Sequence, residues 1–259
     1  MIRKAWRSLR KLRKASQFVP LSDLGKFYRL LSEDDRSVVG LRILPLNLDE
    51  VFARTGSEDH ATLSYVFLDR YHLPPTQLPD APTILDLGSN CGYTIVHYKH
   101  LYPAARIIGV EMDAGNFALA RRNVDGHERV DLLHAAVSHL DGTAAYSTLN
   151  KEDAYHIVSP TADATGEFAT VATISIRSLM QRYGLSHVDF VKMDIEGEEL
   201  NIFAPGSDLD WLDTVRSMNI EVHGEPSVLD AILQLLHTHN FRAWKDDRHW
   251  SAVMAVRRS

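Results

Sequence analysis

From residue 83 onward, short apolar runs alternate with stretches of helical periodicity, and this alternation constrains the fold more than any other feature. The apolar runs are predicted strands, and most are separated by segments long enough for a crossover helix. Such spacing favours parallel strands with helices on both faces, while the last two runs are close enough to form an antiparallel pair. We therefore predict an α/β fold with a mostly parallel sheet of about seven strands.

The predicted strands cover residues 83–87, 106–111, 130–137, 188–193, 215–222, 241–245 and 251–256. The predicted helices cover residues 92–102, 114–124 and 226–239. Turn residues and alternating Thr, Ala and Tyr predict hairpin or irregular structure over residues 141–171.

The chain before this pattern has a different character. Gly40 and Pro45 are predicted to interrupt short helical pieces, and a further helix is predicted over 62–71. The proline-rich stretch 73–79 is a predicted linker, because proline lacks a backbone donor and restricts the residue before it. The predicted division is a basic amphipathic arm at 1–20, a mixed region with its linker at 21–80, and an α/β domain at 81–259.

The charge of the chain is unevenly distributed. Residues 1–14 carry seven bases and no acid, so the remaining chain has a formal charge of −13, against −6 for the whole. A body this acidic repels a phosphate backbone, which argues against a nucleic-acid partner. A single cysteine, Cys91, cannot form an intrachain disulfide, and no run of about 18 uncharged apolar residues predicts a membrane span. We predict a cytoplasmic protein.

Four apolar residues of the basic arm recur at helical spacing: Ile2, Trp6, Leu9 and Leu12. Such a helix could lie on an anionic membrane surface, with its apolar side chains in the interface. Peripheral contact with the inner membrane through residues 1–18 is therefore one prediction. A solvated tail, a targeting peptide and a helix packed on its own domain are the alternatives.

The strongest local motif joins the first predicted strand to its helix and reads Asp86-Leu87-Gly88-Ser89-Asn90-Cys91-Gly92. Cofactors bind at this turn in doubly wound folds, where glycines let the backbone approach the ligand. Asn90 stands where a dinucleotide fingerprint has its middle glycine, and Asp86 would repel a phosphate but attract an ammonium or a sulfonium. The predicted cofactor-binding residues of this turn are Asp86, Gly88, Ser89, Asn90 and Gly92. A turn without a ligand is the alternative.

Glu111 ends the second predicted strand, where a carboxylate commonly accepts both ribose hydroxyls of a cofactor. Asp86 near the amino-acid end of a cofactor and Glu111 near its ribose together suggest S-adenosylmethionine. Ala136, at the end of the third predicted strand, could line the adenine. The alternatives are a solvated strand-end acid at Glu111 and a core residue at Ala136.

Two neighbouring predicted strands carry charged side chains near their carboxyl ends. Lys192 and Asp194 share one face of the first strand, and Glu221 and His223 share one face of the second. An unpaired lysine is costly to bury, so Lys192 requires a partner or a role. A buried ion network is one alternative, and a divalent metal held by Asp194, Glu221 and His223 is another.

These motifs together resemble the FkbM family of S-adenosylmethionine-dependent methyltransferases. The resemblance covers about residues 42–255, and its motifs are Gly56–Asp59, Asp86–Gly92, Glu111, 135–138 with 141–142, 191–198 and 220–223. It implies a Rossmann-like class I methyltransferase fold and methylation of a hydroxyl on a sugar, a polyketide or a similar product. The basic arm lies outside it.

The leading prediction is an O-methyltransferase that acts on a sugar, a glycolipid or a secondary metabolite. We predict His223 as the general base because an ordinary imidazole pKa suits neutral pH, with Glu221 or Asp194 orienting it and Lys192 balancing their charge. One alternative is an NAD(P)-dependent oxidoreductase, although the glycine fingerprint is incomplete. The other is a catalytically idle membrane-associated protein, which would not need the charged cluster.

Overall fold

The computed structural model describes residues 2–147, 157–158 and 168–258. Its strands are β1 (Val38–Arg42), β2 (Glu50–Arg54), β3 (Thr83–Leu87), β4 (Arg106–Glu111), β5 (Val130–His134), β6 (Ala136–Val137), β7 (Gly142–Ser147), β8 (Ile157–Val158), β9 (Phe168–Ile174), β10 (Phe190–Met193), β11 (Ser217–Glu221), β12 (Phe241–Lys245) and β13 (Ala252–Arg257). Its helices are α1 (Ile2–Ala15), α2 (Leu24–Ser32), α3 (Asp59–Ser64), α4 (Tyr93–Leu101), α5 (Ala114–Asn123), α6 (Ile176–Arg182), α7 (Glu199–Ile202) and α8 (Pro226–Thr238).

The main sheet has seven strands in the order β12-β13-β11-β10-β3-β4-β5, and β13 alone runs antiparallel to its neighbours. This arrangement confirms the predicted class I methyltransferase fold with its closing antiparallel pair. The chain begins the sheet at β3, moves outward through β4 and β5, and then returns to place β10 on the other side of β3. A parallel sheet binds ligands beside such a reversal, outside the carboxyl ends of its strands.

Two large apolar cores stabilise the fold, one against the main sheet and one beneath the first 80 residues. One contains Leu85, Val110, Val191 and Ile220 from four adjacent strands, all at most 1% exposed. The other joins the chain before residue 80 to helix α4, and the fully buried Phe18 and Leu41 lie in it. The first 80 residues therefore pack directly against the helix that follows the glycine-containing turn.

The basic arm forms helix α1, and its last turn belongs to the second core. Ala15 and Phe18 are fully buried, Leu12 packs against the same cluster, and Leu9 is exposed. The side chains of Ile2 and Trp6 fall outside the described ones. Among the described residues, no helix has the length and apolar character needed to cross a membrane.

Most predicted elements of the α/β domain are confirmed, and the strands at 83–87, 106–111 and 241–245 match residue for residue. The prediction of one strand over 130–137 is wrong, because β5 ends at His134 and β6 joins a separate sheet of order β6-β9-β7-β8. Part of the predicted hairpin region at 141–171 belongs to that second sheet, and the rest lies outside the described residues. Helix α6, capped by the Ser175 hydroxyl, was not predicted.

The chain before residue 80 departs further from prediction. Gly40 does not interrupt the chain but lies inside β1, which pairs with β2 in an antiparallel hairpin. Gly40 pairs in register with Phe52, and a Cβ at Gly40 would approach only the carboxylate of Glu50, the movable end of a flexible side chain. The predicted helix at 62–71 starts earlier as α3 and continues as a π-helical segment over Tyr65–Asp69. The stretch 73–79 contains no helix or strand, as predicted.

Candidate active site

A cavity of about 430 Å³ opens at the carboxyl ends of β3, β4, β10 and β11. Eight predicted site residues line it: Gly88, Asn90, Glu111, Ala136, Lys192, Asp194, Glu221 and His223. Three others, Asp86, Ser89 and Gly92, lie behind its wall. The sequence therefore identified residues from both ends of one cavity.

The turn after β3 depends on its first glycine. Gly88 has a φ of +78°, and a Cβ there would lie 1.8 Å from the carbonyl oxygen of Asp194. Because that oxygen belongs to the backbone, no side-chain movement could relieve the collision. Asn90 also has a positive φ, of +47°, and Gly92 ends the turn at the N-terminus of α4. The turn therefore has a fixed path along the cavity wall.

Glu111 closes this part of the cavity, which we call the loop side (Gly88, Asn90, Glu111 and Ala136). Its two carboxylate oxygens accept the backbone N–H groups of Asn90 at 2.8 Å and Asp113 at 2.9 Å. Burial raises the pKa of Glu111 to about 7, although both hydrogen bonds favour the charged form. The carboxylate is thus fixed by the backbone, and it retains lone pairs for a ligand's hydroxyl donors.

Asp86 is completely buried and does not line the cavity. The Thr94 hydroxyl donates to one of its oxygens, and Lys192 Nζ lies 3.8 Å from the other, Oδ1. Burial raises the pKa of Asp86, and the nearby ammonium opposes that shift. Asp86 therefore faces the protein's own lysine, and its predicted contact with a cofactor ammonium remains a prediction.

Lys192 connects the two ends of the cavity. Its ammonium donates to the carbonyl oxygen of Gly88 at 2.8 Å and to Asp194 Oδ2 at 3.3 Å. Burial opposes its charge, but the carboxylates of Asp194, Asp86 and Glu221 outweigh burial and raise the Lys192 pKa. Lys192 is therefore paired, as the cost of burying a lone lysine requires.

On the far side of Lys192, three carboxylates surround one imidazole, and we call these residues the carboxylate cluster (Asp194, Glu196, Glu221 and His223). His223 Nε2 lies 3.4 Å from Glu196 and 3.9 Å from both Asp194 and Glu221. These contacts are longer than direct hydrogen bonds, and the four side chains are 22–33% exposed. The cluster is therefore held by charge rather than by a tight hydrogen-bond network.

Glu199 contacts the second ring nitrogen of His223. It is fully buried, and its Oε1 lies 3.4 Å from His223 Nδ1. The same carboxylate accepts the backbone N–H groups of Ile195 at 3.0 Å and Gly197 at 2.9 Å. Glu199 thus fixes the loop after β10 and fixes the ring orientation of His223 at once.

The role of His223 as general base remains a prediction. Burial opposes its charge, but Glu199, Asp194 and Glu196 outweigh burial and raise the pKa of His223 to about 9. Its acidic neighbours therefore favour the protonated imidazole at neutral pH. Burial and the neighbouring Asp194 raise the pKa of Glu221 to about 7. Glu221 therefore holds a proton more readily than an exposed glutamate does.

Glu196 is the cluster residue that sequence reasoning missed. Burial and the Asp194 carboxylate raise its pKa to about 8. Within the described residues, Asp194, Glu196 and His223 offer ligand atoms within 4.8 Å of one another, so Glu196 replaces Glu221 in the predicted metal set. Glu196 belongs to the acidic 191–198 motif, but it lies beyond the end of the strand. Strand alternation therefore could not predict which way its side chain points.

Further cavity residues come from regions to which the sequence assigned no role. An aromatic rim of Tyr65, Tyr71, His249 and Trp250 lines the cavity, with Trp250 84% exposed. The rings of Tyr71 and His249 lie 4.8 Å apart, centroid to centroid. Asn219, a polar residue inside an apolar strand, also lines the cavity and was a signal available in the sequence.

The family described as Methyltransferase FkbM domain matches residues 86–243, which include the loop side, Lys192 and the carboxylate cluster. The chain is 25% identical over 205 residues to methyltransferase sdnD of Sordaria araneosa, covering 67% of this chain and 79% of that protein. It is 25% identical over 210 residues to 31-O-demethyl-FK506 methyltransferase FkbM of Streptomyces tacrolimicus, covering 68% and 79%. It is also 25% identical over 144 residues to 2-O-methyltransferase NoeI of Sinorhizobium fredii (strain NBRC 101917 / NGR234), covering 50% and 59%.

Proposed function

Because the chain belongs to the FkbM methyltransferase family, we propose that this methyltransferase transfers a methyl group from S-adenosylmethionine to a hydroxyl oxygen. One observation carries the proposal above the others. A single cavity joins a backbone-fixed acid at the end of β4 to a cluster of ionisable groups at the ends of β10 and β11. The first suits a ribose and the second suits removal of a proton.

The loop side has the chemistry that the donor needs. Glu111 would accept the ribose hydroxyls, and Ala136 would contact the adenine. Asp86 Oδ1 and Ser89 Oγ are buried behind the residues that line the cavity, and Lys192 Nζ lies 3.8 Å from Asp86 Oδ1. When bound, S-adenosylmethionine supplies a methyl group on a positively charged sulfur, which an acidic cavity favours.

Glu221 is the proposed general base in the carboxylate cluster. Its carboxylate accepts the proton that the acceptor hydroxyl loses, and the Ser251 hydroxyl, 3.3 Å from Oε1, holds it in place. His223 remains an imidazolium that balances the ionised form of Glu221, and Lys192 balances Asp194. A positioned base of this kind contributes a factor of about 10²–10⁴ to the rate.

The acceptor end of the cavity is built largely by residues before the sheet. We propose that residues 81–259 form the catalytic domain and that 21–80 supply part of the acceptor wall, since Tyr65 and Tyr71 line the cavity. The aromatic rim suits the ring of a sugar, a glycolipid headgroup or a cyclic metabolite. The names of two relatives, 31-O-demethyl-FK506 methyltransferase FkbM and 2-O-methyltransferase NoeI, agree with a hydroxyl acceptor.

The test is transfer of labelled methyl from S-adenosylmethionine into an extract of metabolites and glycolipids, with products identified by mass spectrometry. We expect labelled methyl ethers. Calorimetric titration with S-adenosylmethionine and with NAD, in parallel, separates this proposal from an oxidoreductase. Binding of NAD with no binding of S-adenosylmethionine would overturn it.

We also propose that the arm brings this cytoplasmic enzyme to an anionic membrane surface, where a lipid-linked acceptor would be found. Four described bases of α1 support this proposal: Arg10, Lys11, Arg13 and Lys14. Because Ala15 and Phe18 are core residues, the test is a charge variant rather than a truncation. Replacing Arg10, Lys11, Arg13 and Lys14 by Gln should strongly weaken salt-sensitive co-sedimentation with phosphatidylserine vesicles. Full-length protein that ignores these vesicles at low salt would contradict the proposal.

A further inference from the structure

His72 is a buried polar side chain that the proposed reaction does not use. Its ring lines the cavity, and its Nε2 lies 2.9 Å from Nδ1 of His97. The other ring nitrogen, Nδ1, is shielded from solvent and makes no hydrogen bond to any residue that the structure describes. A buried polar atom without a partner lowers stability, so a partner supplied by a ligand would recover that loss.

A strand residue, Asn219, and a residue of helix α4, Tyr98, hold the backbone around His72 in place. The Asn219 side-chain amide donates to the carbonyl oxygens of Tyr71 at 2.6 Å and Leu73 at 3.3 Å. The Tyr98 hydroxyl donates to the carbonyl oxygen of His72 itself at 2.6 Å. Such fixation is typical of a side chain that must present one atom in a defined position.

Asn219 also relates His72 to the proposed catalytic groups. It pairs in register with Lys192 across β10 and β11. It lies two residues before Glu221, so both side chains are on one face of the strand. Asn219, which holds the segment around His72, is therefore a neighbour in the sheet of both Glu221, the proposed base, and Lys192.

The His72–His97 contact favours one tautomer. If His72 donates a hydrogen bond from Nε2 to His97, its Nδ1 carries no proton and has a lone pair that can accept a hydrogen bond. The opposite tautomer would place a proton on Nδ1, and this buried N–H would have no acceptor. Buried N–H groups without an acceptor are rarer in proteins than buried acceptors without a donor. His72 therefore holds a hydrogen-bond acceptor just inside the wall of the cavity that it lines.

We propose that His72 Nδ1 accepts a hydrogen bond from a second donor group of the acceptor molecule, distinct from the hydroxyl that is methylated. The inference rests on the proposed function. The reacting hydroxyl has one proton, and that proton passes to Glu221, so Nδ1 must be satisfied by another O–H or N–H. The acceptor class is then a molecule with a hydroxyl or an amide N–H near the methylated oxygen, and an isolated alcohol is excluded.

Two variants of His72 separate the roles of its ring nitrogens. His72→Gln can keep a hydrogen bond to His97 but has no group in place of Nδ1. His72→Asn can place an amide oxygen near the Nδ1 position but does not reach His97. We expect His72→Gln to lower kcat/KM for methyl transfer into the extract by about 10- to 100-fold, and His72→Asn to lose less. Both variants should keep the wild-type affinity for S-adenosylmethionine, and His72→Asn should have the lower melting temperature because it loses the hydrogen bond to His97.

Three results would overturn the inference. The first is a His72→Gln enzyme with the kcat/KM of the wild type, and the second is one that loses donor affinity in proportion to activity. The third is a labelled product that has no O–H or N–H left beside its new methyl ether. A wild-type chain that binds no S-adenosylmethionine contradicts the proposed function instead, and the inference fails with it.

Discussion

The loop side and the carboxylate cluster line one cavity and adjoin each other through Gly88, Lys192 and Asp194, but they are held by different forces. On the loop side, Glu111 is fixed by two backbone N–H groups at 2.8 and 2.9 Å, and Gly88 touches the backbone of Asp194. In the cluster, His223 meets three acids at 3.4–3.9 Å with no backbone contact between them. The loop side is thus held by backbone contacts, whereas the cluster is held by charge and by the buried Glu199. The predictions below use this contrast.

The largest expected effect is in the cluster. Glu221→Gln removes the proposed base but keeps the shape of the side chain, so turnover should fall by about 10²–10⁴. Affinity for S-adenosylmethionine, measured by titration calorimetry, should stay within about threefold, because the loop side is intact. Glu225→Gln changes an exposed acid nearby and serves as the control.

The pH profile of the wild type tests the same assignment. If Glu221 is the base, the rate should rise with pH and reach half its maximum near its pKa of about 7. A midpoint near 9 would instead assign the base to His223. Activity that disappears with chelator and returns with magnesium would point to a metal held by Asp194, Glu196 and His223.

On the loop side, the strongest effect is expected from Gly88→Ala. The new Cβ would collide with the backbone of Asp194, at a residue whose φ is positive. We expect the free energy of unfolding to fall by about 2–5 kcal/mol, and we expect the variant to lose binding of S-adenosylmethionine. Gly126→Ala is the matched control, since Gly126 has a φ of +81° and no atom within 4 Å of an added Cβ. It should lose only about 1–2 kcal/mol. Equal losses in the two variants would show that the contact with Asp194 is unimportant.

Glu111→Ala should weaken S-adenosylmethionine binding by about 1.5–3 kcal/mol for each hydrogen bond that its carboxylate makes with the ribose. Because the pKa of Glu111 is about 7, wild-type affinity should also rise between pH 6 and pH 8 as the carboxylate ionises. The exposed Glu128→Ala is the control. Unchanged affinity in a folded Glu111→Ala protein removes Glu111 from the donor site.

The smallest effect concerns the charge balance of the cluster. Folding raises the pKa of Glu196 from 4.5 to about 8, so its contribution to stability is present below pH 4.5 and is lost as pH rises through 8. Glu196→Gln should therefore raise the melting temperature at pH 9 by a few degrees, equivalent to roughly 1–3 kcal/mol, and change it little at pH 4.5. A lower melting temperature at pH 9 would show that Glu196 is stabilising in its charged form.

The contrast between the two sides also explains what the sequence could predict. Strand β3, the glycine turn and Glu111 follow from local pattern, because backbone geometry fixes them within a few residues. The cluster depends on the loop after β10, where strand alternation no longer applies, so Glu196 and Glu199 were missed. The pKa of His223 depends on Glu199, a contact across the sheet edge that no single strand reveals.

Regions before the sheet were predicted least well, for a related reason. Gly40 and Pro45 have strong local preferences for breaks, yet Gly40 lies inside β1 because β1 pairs with β2 along its whole length. His72 follows a π-helical segment that has no reliable sequence signature. Its position depends on Asn219, far along the chain.

Titration of three proteins with S-adenosylmethionine tests the two-sided cavity most directly: the wild type, Glu111→Ala and Glu221→Gln. We predict that the wild type binds one molecule per chain, that Glu111→Ala binds at least about tenfold more weakly, and that Glu221→Gln binds within about threefold of the wild type. Equal loss of affinity in both variants, or no binding by the wild type, would contradict the assignment of the donor to the loop side.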